Sequence, residues 1–525
     1  MLDILQSYYM QLGTISVVVL AAIYVYFKVC HSYWEKLGVP TLPASIPFGS
    51  LKNLIFSNKS VIDFVKELYN AFEGHKVGGI YTLDKPSLIL RDPEVIKEVL
   101  VKKYDHFCSR GFKVNEEKYS FHGNLFTLSG SKWRNLRLKL NPTFTSGKMK
   151  MIFGTLVECG KELQTCLETS EKTGDVIEMQ DLLSRFTTDV IASCYFGIQC
   201  NSLSNPNAEF RNWGMRTLKP TYKAKLFRLL FFMMPSLFKI VNLSLVPKDV
   251  SDYFIKMVRD TVEYREKNDV KRNDFMQLLI QMKNKTLGVA EEEGIKYNLE
   301  DDDLKSNTPF EITLDVMAAQ AFVFFLAGYV TSSTAMTFCL YELAVNQDIQ
   351  GRLREEIDSV LEKNDGEITY DSIFEMKYLD KVVNETLRKY PPVHELIREC
   401  TKTTNISGTN AVMKKGMQAL ISIMGLHHDP KYYPDPEMFD PERFSEEEKS
   451  KRPHFSYLPF GEGPRICIDM RFGLMQTKIG LISLLSKYEV HPSQKTPIPL
   501  VFDSKAFFLA PEGGMWLKIV ARADK

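Results

Sequence analysis

One short segment near the carboxyl end constrains this chain more than any other part of it. The segment reads Phe460-Gly-Glu-Gly-Pro-Arg-Ile-Cys467. Its glycines allow the backbone to approach a flat cofactor closely, and the thiolate of its cysteine can be the ligand of one metal ion. A lone cysteine is more often a small buried apolar side chain, so this interpretation depends on motifs elsewhere in the chain.

Composition excludes several classes of protein. The chain has 525 residues, of which 44% are hydrophobic and 25% charged, and this balance is typical of a globular protein rather than a disordered one. The formal net charge of +1 gives no field of one sign, so nucleic acid is not expected as a partner. The nine cysteines stand singly without a CxxC pair, which is typical of reduced thiols in a reducing compartment.

The first residues predict a membrane anchor. No charged residue occurs from Ile4 to Phe27, which is long enough for a helix across a hydrocarbon core of about 30 Å. Lys28 and Lys36 follow this span, so the rest of the chain is expected on the cytoplasmic side. A cleaved signal peptide is the alternative, but no basic region precedes the apolar run and no small-residue cleavage site follows it. The aromatic residues expected at the membrane interface are Tyr8, Tyr9, Tyr24, Tyr26 and Trp34.

The apolar run at the start of the chain and the prolines that follow it divide the sequence into three parts. Residues 1–37 form the predicted anchor, residues 38–50 form a proline-rich connector that cannot continue a helix, and residues 51–525 form the body. The body reads mostly helical. Its strand-like pieces are residues 79–83, 87–90 and 418–423.

One apolar segment of the body has two interpretations. Leu226–Leu237 is rich in leucine and phenylalanine and is interrupted by Pro235. It is either a buried helix that ends before the proline or a surface lid that dips into the membrane interface. The sequence does not separate these alternatives.

Three helical segments carry polar or small residues at spacings that place them on one face. The first set can donate hydrogen bonds, the second can form an ion pair, and the third offers two small residues and a hydroxyl to a ligand. Taken singly, these are also what a basic helix edge, a surface ion pair and a buried helix would show. The sets are Trp133 with Arg137, Glu385 with Arg388, and Ala327 with Gly328 and Thr331.

Together the motifs resemble the cytochrome P450 family, whose signature is Phe, two residues, Gly, one residue, Arg, one residue, Cys, one residue, Gly. The chain matches every position but the last glycine. The resemblance covers essentially the whole chain and is similar to the insect microsomal branch that metabolises xenobiotics and hormones. It implies a mainly α (α+β) fold, the cytochrome P450 fold with small β-sheets, preceded by one N-terminal transmembrane helix.

The resemblance also implies a role for each motif. Cys467 is expected to be the axial ligand of haem b, and Thr331, with Ala327 and Gly328, is expected to act on dioxygen at the distal face. Further haem contacts are expected from Arg110, Trp133, Arg137, Arg398, Phe460, Gly463 and Arg465. A buried charged cluster is expected of Glu385, Arg388 and Arg443. Substrate contacts are expected from Phe121, Leu125 and Phe126, which could equally be core residues.

Two positions depart from the family pattern. Val330 stands where an acid usually precedes the threonine and helps to relay protons. Asp469 stands where the last glycine of the signature is expected. A carboxylate there is unfavourable beside a thiolate, unless it lies at the start of the next helix and accepts backbone N–H bonds.

The implied function is that of a monooxygenase, which inserts one oxygen atom from O2 into a lipophilic substrate such as a xenobiotic, a hormone or a fatty-acid-like molecule. Electrons are expected from NADPH through cytochrome P450 reductase, with cytochrome b5 as a second partner, at the cytoplasmic face of the endoplasmic reticulum or microsomal membrane. Two alternatives stay open. Val330 would suit an isomerase or dehydratase that acts on an already oxygenated substrate, and Asp469 would suit a paralogue that binds ligands without turnover.

Overall fold

The chain divides into two compact units. The computed structural model describes residues 2–56, 59–173, 176–217, 231, 244, 246–284, 311–506 and 508–522. The first unit is Met1–Gly111 with Glu395–Leu426, and the second is Phe112–His394 with His427–Lys525. Except for Phe231, the segment Leu226–Leu237 lies outside the described residues.

The described part of the chain contains nine short strands in three sheets. They are β1 Val77–Thr82, β2 Lys85–Leu90, β3 Ile177–Glu178, β4 Glu395–Glu399, β5 Thr404–Asn405, β6 Val412–Met413, β7 Gln418–Ser422, β8 Tyr488–Pro492 and β9 Trp516–Ala521. In the first unit a sheet of order β1-β2-β7-β4 pairs β2 with β7 in parallel and its other neighbours antiparallel, and β5 pairs with β6. In the second unit β3, β9 and β8 form an antiparallel sheet. The strand-like pieces expected from the sequence are therefore confirmed as β1, β2 and β7.

The rest of the regular structure is helical, as the sequence predicts. The α-helices of the first unit are Leu2–Cys30, Tyr33–Lys36, Lys52–Phe56, Val61–Asn70 and Pro93–Lys97, and Ile423–His427 spans the sequence boundary between the units. The α-helices of the second unit are Gly130–Leu140, Ser146–Thr173, Met179–Ile191, Glu209–Arg216, Lys248–Lys267, Phe275–Lys283, Leu314–Val345, Gln347–Lys363, Ser372–Glu375, Lys377–Lys389, Glu446–Lys451 and Met470–Leu485.

The first helix, Leu2–Cys30, contains a stretch, Leu5–Cys30, that is long and apolar enough to cross a membrane. The most apolar part of this stretch is not buried against the rest of the described chain. Trp34 behaves differently, because it is fully buried and its ring N–H donates to the carbonyl oxygen of Ile80 at 3.2 Å. The expectation that Trp34 lies at the membrane interface is therefore wrong, since its ring is part of the packed interior of the first unit.

The connector over residues 38–50 is held along strand β1. The N–H of Gly79 donates to the carbonyl oxygen of Pro40 at 2.7 Å, and the N–H of Ser50 donates to that of Tyr81 at 2.8 Å. The fixed φ of its prolines keeps this segment from continuing the preceding helix. The connector thus forms regular backbone contacts with the sheet of the first unit.

The helix Leu314–Val345 is the central helix of the second unit. It begins at Leu314 because the side chain of Thr313 accepts the N–H of Val316 at 3.3 Å and so caps the first turn. It packs against Met179–Ile191, Lys248–Lys267 and Met470–Leu485. It is also apolar enough to cross a membrane, but more than half of its most apolar window is buried in the protein. We therefore assign it to the core.

Candidate functional site

The segment Phe460–Cys467 forms a tight loop that presents its cysteine. Gly461 and Gly463 have φ values of +71° and +74°, which favour glycine strongly over any residue with a Cβ. The N–H of Cys467 donates to the carbonyl oxygen of Phe460 at 3.0 Å and closes the loop. Cys467 is exposed, whereas the other eight cysteines are buried or half-buried. The loop therefore leaves the sulfur accessible to a ligand.

The helix Gly130–Leu140 is bonded directly to this loop. A guanidinium N–H of Arg137 donates to the carbonyl oxygen of Ile466 at 3.1 Å. The guanidinium carbon of Arg465 lies 3.9 Å from the ring centroid of Trp133, and an N–H of Arg465 donates to the carbonyl oxygen of Leu128 at 2.9 Å. Trp133, Arg137 and Arg465, which the sequence analysis assigned to the cofactor, thus lie together beside the cysteine.

The central helix has an open stripe in an otherwise buried stretch. Ala327 is exposed, and the stripe is completed by four half-buried side chains, which are its neighbour Leu326 and, about one turn away on either side, Val323, Val330 and Thr331. The hydroxyl of Thr331 donates to the carbonyl oxygen of Ala327 at 2.7 Å. Because residues three, four, seven and eight apart share one face of a helix, the stripe is one continuous apolar surface with a single hydroxyl.

Gly328 lies next to this stripe and packs in another direction. It is buried, and a Cβ added to it would lie 2.7 Å from Cδ1 of Ile191. Its small size therefore serves the close approach of the helix Met179–Ile191. A contribution of Gly328 to the open face stays a prediction.

Two predicted haem-contacting arginines belong to the first unit. The residues beside them meet, because Ser109 and Glu399 form an antiparallel bridge in which the N–H of Glu399 donates to the carbonyl oxygen of Ser109 at 2.8 Å. This bridge brings the segments that carry Arg110 and Arg398 side by side. Their contact with a cofactor stays a prediction.

The predicted charged cluster is present and buried. Arg388 donates from Nε and Nη2 to the two carboxylate oxygens of Glu385 at 2.7 and 2.8 Å, and both side chains are fully buried. Nε of Arg443 lies 3.5 Å from Oε1 of Glu385. Burial raises the pKa of Glu385, and the neighbouring arginines act against this rise. The cluster ties the helix Lys377–Lys389 to the segment around Arg443.

The loop that carries the predicted substrate contacts is attached to the central helix by Gln320, a residue that is not among the predicted site residues. The fully buried side chain of Gln320 accepts the N–H of Leu125 at 3.0 Å and donates to the carbonyl oxygen of Gly123 at 2.9 Å. The ring of Phe121 packs on that of Phe322 at 5.0 Å, whereas Phe126 is 46% exposed. A glutamine in an apolar helix was the only signal in the sequence, since its partners are almost 200 residues away.

Acid sensitivity is expected from His122 in the same loop. Burial lowers its pKa to about 4, whereas an unfolded histidine titrates near pH 6.5. The unfolded chain therefore binds a proton between these values and the folded chain does not, so stability is lost as the pH falls from 6.5 towards 4. Between about pH 7.5 and about pH 5, urea unfolding should show a loss of roughly 2 kcal/mol from this residue.

The variant His122→Gln gives the comparison for this pH effect. Its loss of stability between the two pH values should be smaller than that of the unmodified protein by the same amount. Equal losses in the two proteins would show that His122 is not the group that titrates.

Asp469 lies at the start of the next helix, as expected, but its side chain does not accept the expected backbone N–H bonds there. It precedes the helix Met470–Leu485, yet its side chain accepts no backbone N–H there, so the suggested capping role is wrong. The hydroxyl of Tyr195 instead donates to Oδ2 of Asp469 at 2.5 Å. Burial raises the pKa of Asp469 to about 8, against the effect of this hydrogen bond. Burial thus favours the neutral carboxylic acid over the carboxylate, which lessens the expected repulsion with a thiolate.

The accessible cysteine in its glycine-containing loop, with the arginines beside it, defines a site of the haem-thiolate class. A family model described as Cytochrome P450 matches residues 40–518. The chain is 41% identical over 495 residues to "Probable cytochrome P450 6a14" of Drosophila melanogaster, which covers 93% of this chain and 95% of that protein. It is 40% identical over 502 residues to "Cytochrome P450 6k1" of Blattella germanica, which covers 95% of each. The chain belongs to the cytochrome P450 family.

Family membership establishes the cofactor and the class of reaction. The chain is a haem-thiolate monooxygenase that uses O2 and electrons derived from NADPH. The residues present fit this group, since an accessible cysteine sulfur lies in a tight loop whose backbone conformation depends on two glycines. Trp133, Arg137 and Arg465 supply N–H groups of the kind that suit the two carboxylates of a haem.

Proposed function

We propose that this chain oxidises lipophilic small molecules at the membrane of the endoplasmic reticulum, with Cys467 as the haem ligand and NADPH-cytochrome P450 reductase as the electron donor. The observation that carries the proposal is the accessible sulfur of Cys467 in a loop bonded to Arg137 and packed against Trp133. The open stripe around Ala327 is almost wholly apolar, which favours a lipophilic substrate. Cytochrome b5 is proposed as an additional donor.

The residues of the chain have separate tasks in this proposal. Haem with a thiolate ligand supplies the activation of O2. Cys467 provides the thiolate, and Trp133, Arg137 and Arg465 fix the orientation of the propionates. Thr331 provides the single hydroxyl of the open stripe, so it is the group placed to hold a proton or a water molecule there. Phe121, Leu125 and Phe126 are proposed to restrict the pose of the substrate.

The membrane arrangement is part of the same proposal. Residues 1–37 are proposed as the anchor, residues 38–50 as the connector and residues 51–525 as the haem domain on the cytoplasmic face. The apolar helix Leu2–Cys30, with Lys28 in its last turn, supports this arrangement. The hydrogen bonds of Pro40 and Ser50 with β1 support the proposal of a short connector between the anchor and the body.

Spectroscopy and turnover together test the proposal. Membranes that contain the chain should give, after reduction and addition of carbon monoxide, the red-shifted Soret band of thiolate-ligated haem. With the reductase, NADPH and a panel of lipophilic compounds, each product should contain one added oxygen atom that comes from O2. Turnover of an already oxygenated substrate without NADPH would support an isomerase instead, and absence of the band in well-expressed protein would refute the proposal.

The valine before Thr331 gives a prediction about efficiency. Proton delivery is expected to be slow because Val330 cannot donate a proton, so part of the NADPH should be consumed without product. Val330→Glu should raise the product formed per NADPH by at least about twofold, within the roughly 100-fold that a positioned proton donor can contribute. The ratio is measured with a fixed substrate and saturating reductase.

A matched control for this prediction lies on the same stripe. Val323→Glu adds the same carboxylate to the same face, two helical turns before Thr331. It should leave the ratio of product to NADPH unchanged or lower it. An equal rise in both variants, or no rise in Val330→Glu, would contradict the proton-delivery explanation.

A further inference from the structure

The residue that replaces the last signature glycine has a specific partner in a distant part of the chain. Asp469 lies two residues after Cys467, and its Oδ2 accepts the hydroxyl of Tyr195 at 2.5 Å. Tyr195 belongs to a short π-helix, Ala192–Phe196, that follows the helix Met179–Ile191. The hydrogen bond therefore joins the cysteine loop to an element 274 residues earlier in the chain.

The ring of Tyr195 is fixed by aromatic side chains from three helices. It lies 5.1 Å from the ring of Phe275, 5.7 Å from that of Phe324 and 5.1 Å from that of Phe472. Phe275 and Phe324 also contact each other at 5.0 Å. Since Tyr195 is only 2% exposed, its hydroxyl has little freedom to reach water or to turn away from Asp469.

Backbone hydrogen bonds fix the chain on both sides of Asp469. The carbonyl oxygen of Asp469 accepts the N–H of Gly473 at 3.0 Å and so begins the helix Met470–Leu485. The loop on the other side is closed by the bond from the N–H of Cys467 to Phe460. Asp469 is therefore the link between a closed loop and a regular helix, with one residue separating it from Cys467.

We propose that Tyr195 is a positioning residue for Cys467, which holds the side chain of Asp469 and thereby fixes the cysteine loop against the start of the following helix. The inference rests on the proposed role of Cys467 as haem ligand. In this proposal Asp469 and Tyr195 act as a pair, because the hydroxyl of Tyr195 donates a hydrogen bond to the carboxyl group that stands in place of the signature glycine. A side chain removed from one member leaves the other as a buried polar group without this partner.

The experiment measures ligation rather than turnover. Holoprotein of each variant is reduced, treated with carbon monoxide and followed by its absorption spectrum over time. The measured quantity is the ratio of haem that has lost the thiolate band to haem that keeps it. The haem content per chain is recorded alongside this ratio. Tyr195→Phe should raise this ratio about tenfold. Asp469→Asn should stay close to the unmodified protein, because its amide oxygen still accepts the hydroxyl.

A double variant separates positioning from general damage. In the background Asp469→Gly, the further change Tyr195→Phe should have no adverse effect, because both members of the pair are then absent. Tyr81→Phe is the control for loss of a buried tyrosine hydroxyl, since Tyr81 is 1% exposed and accepts the N–H of Trp34 at 3.1 Å in the first unit. It should leave the ratio unchanged.

Each outcome decides the inference. An unchanged ratio in Tyr195→Phe, or an equal rise of that ratio in the Asp469→Gly background, would overturn it. If Tyr195→Phe does not accumulate as holoprotein, Asp469→Leu replaces it in the test, because this variant keeps Tyr195 but removes the acceptor. The ratio of haem without the thiolate band to haem with it should then be about tenfold higher in Asp469→Leu than in Asp469→Asn. Equal ratios in Asp469→Leu and Asp469→Asn would overturn the inference. Unmodified protein that never shows the thiolate band would refute the proposed function and this inference with it.

Discussion

Replacing Cys467 by alanine is expected to abolish the spectrum of thiolate-ligated haem, and with it the oxidation of any substrate. The change removes the thiolate that the Phe460–Cys467 loop offers to iron, while Gly461 and Gly463 still allow the loop to form. Loss of a partner that only supports a ligand costs about 10- to 100-fold in metal affinity or activity, so loss of the ligand itself should exceed this. The reduced carbon monoxide spectrum and substrate turnover measure both effects.

A second cysteine gives the control. Cys166 lies on the helix Ser146–Thr173 and is half-buried, so Cys166→Ala makes the same chemical change away from the loop. Its spectrum and turnover should remain those of the unmodified protein. A thiolate band that persists in Cys467→Ala would show that another residue holds the iron.

Replacing Arg388 by alanine is expected to have the largest effect on stability. Its removal leaves the carboxylate of Glu385 fully buried, with a backbone N–H from Asp440 and the more distant Arg443 as the remaining partners. Breaking a buried pair in this way typically costs about 3 to 5 kcal/mol, because the remaining charge keeps its desolvation penalty. Urea unfolding followed by circular dichroism should show this loss relative to the unmodified protein.

An exposed ion pair provides the matched control for this prediction. Lys449 lies 2.8 Å from Glu446 at the same three-residue spacing, with 43% and 92% of the two side chains exposed. Lys449→Ala should cost less than about 1 kcal/mol. Because removal of both charges avoids the unpaired carboxylate, Glu385→Leu with Arg388→Leu should be more stable than Arg388→Ala alone. If Arg388→Ala were no worse than Lys449→Ala, the cluster would not be a stabilising element.

The spacing of residues along the sequence was enough to predict much of the helical structure and the pairing of Glu385 with Arg388. Trp133 and Arg137, and Glu385 and Arg388, lie on helices where their spacing placed them, because side chains three or four apart meet on one face. The predicted helix that carries Ala327, Gly328 and Thr331 extends over Leu314–Val345, and its start is fixed by the cap at Thr313. The role of these helices came from the family resemblance rather than from periodicity.

Contacts between distant residues could not be predicted in the same way. Asp469 was expected to cap its own helix, because that is the nearest source of N–H donors, but the structure gives it Tyr195 instead. The role of Gln320 is not predictable from its own segment either, since its partners lie in a loop far away in the sequence. Trp34 was placed at a membrane interface on composition alone, although its ring completes the packing of the first unit. In each case the deciding partner is remote in sequence.

The order of strands in the first unit has a consequence for the chain as it is synthesised. Strand β2 pairs with β7, so about 330 residues must be made before Leu88, Ile89 and Leu90 meet their neighbours in Gln418–Ser422. At roughly 5 to 20 residues per second this delay is on the order of 16 to 65 s. During that time the β1-β2 hairpin has one open edge of apolar residues, which is a site where other chains can pair. Ribosome-associated chaperones should therefore bind nascent chains that end between β2 and β7, and release them once residue 422 has emerged.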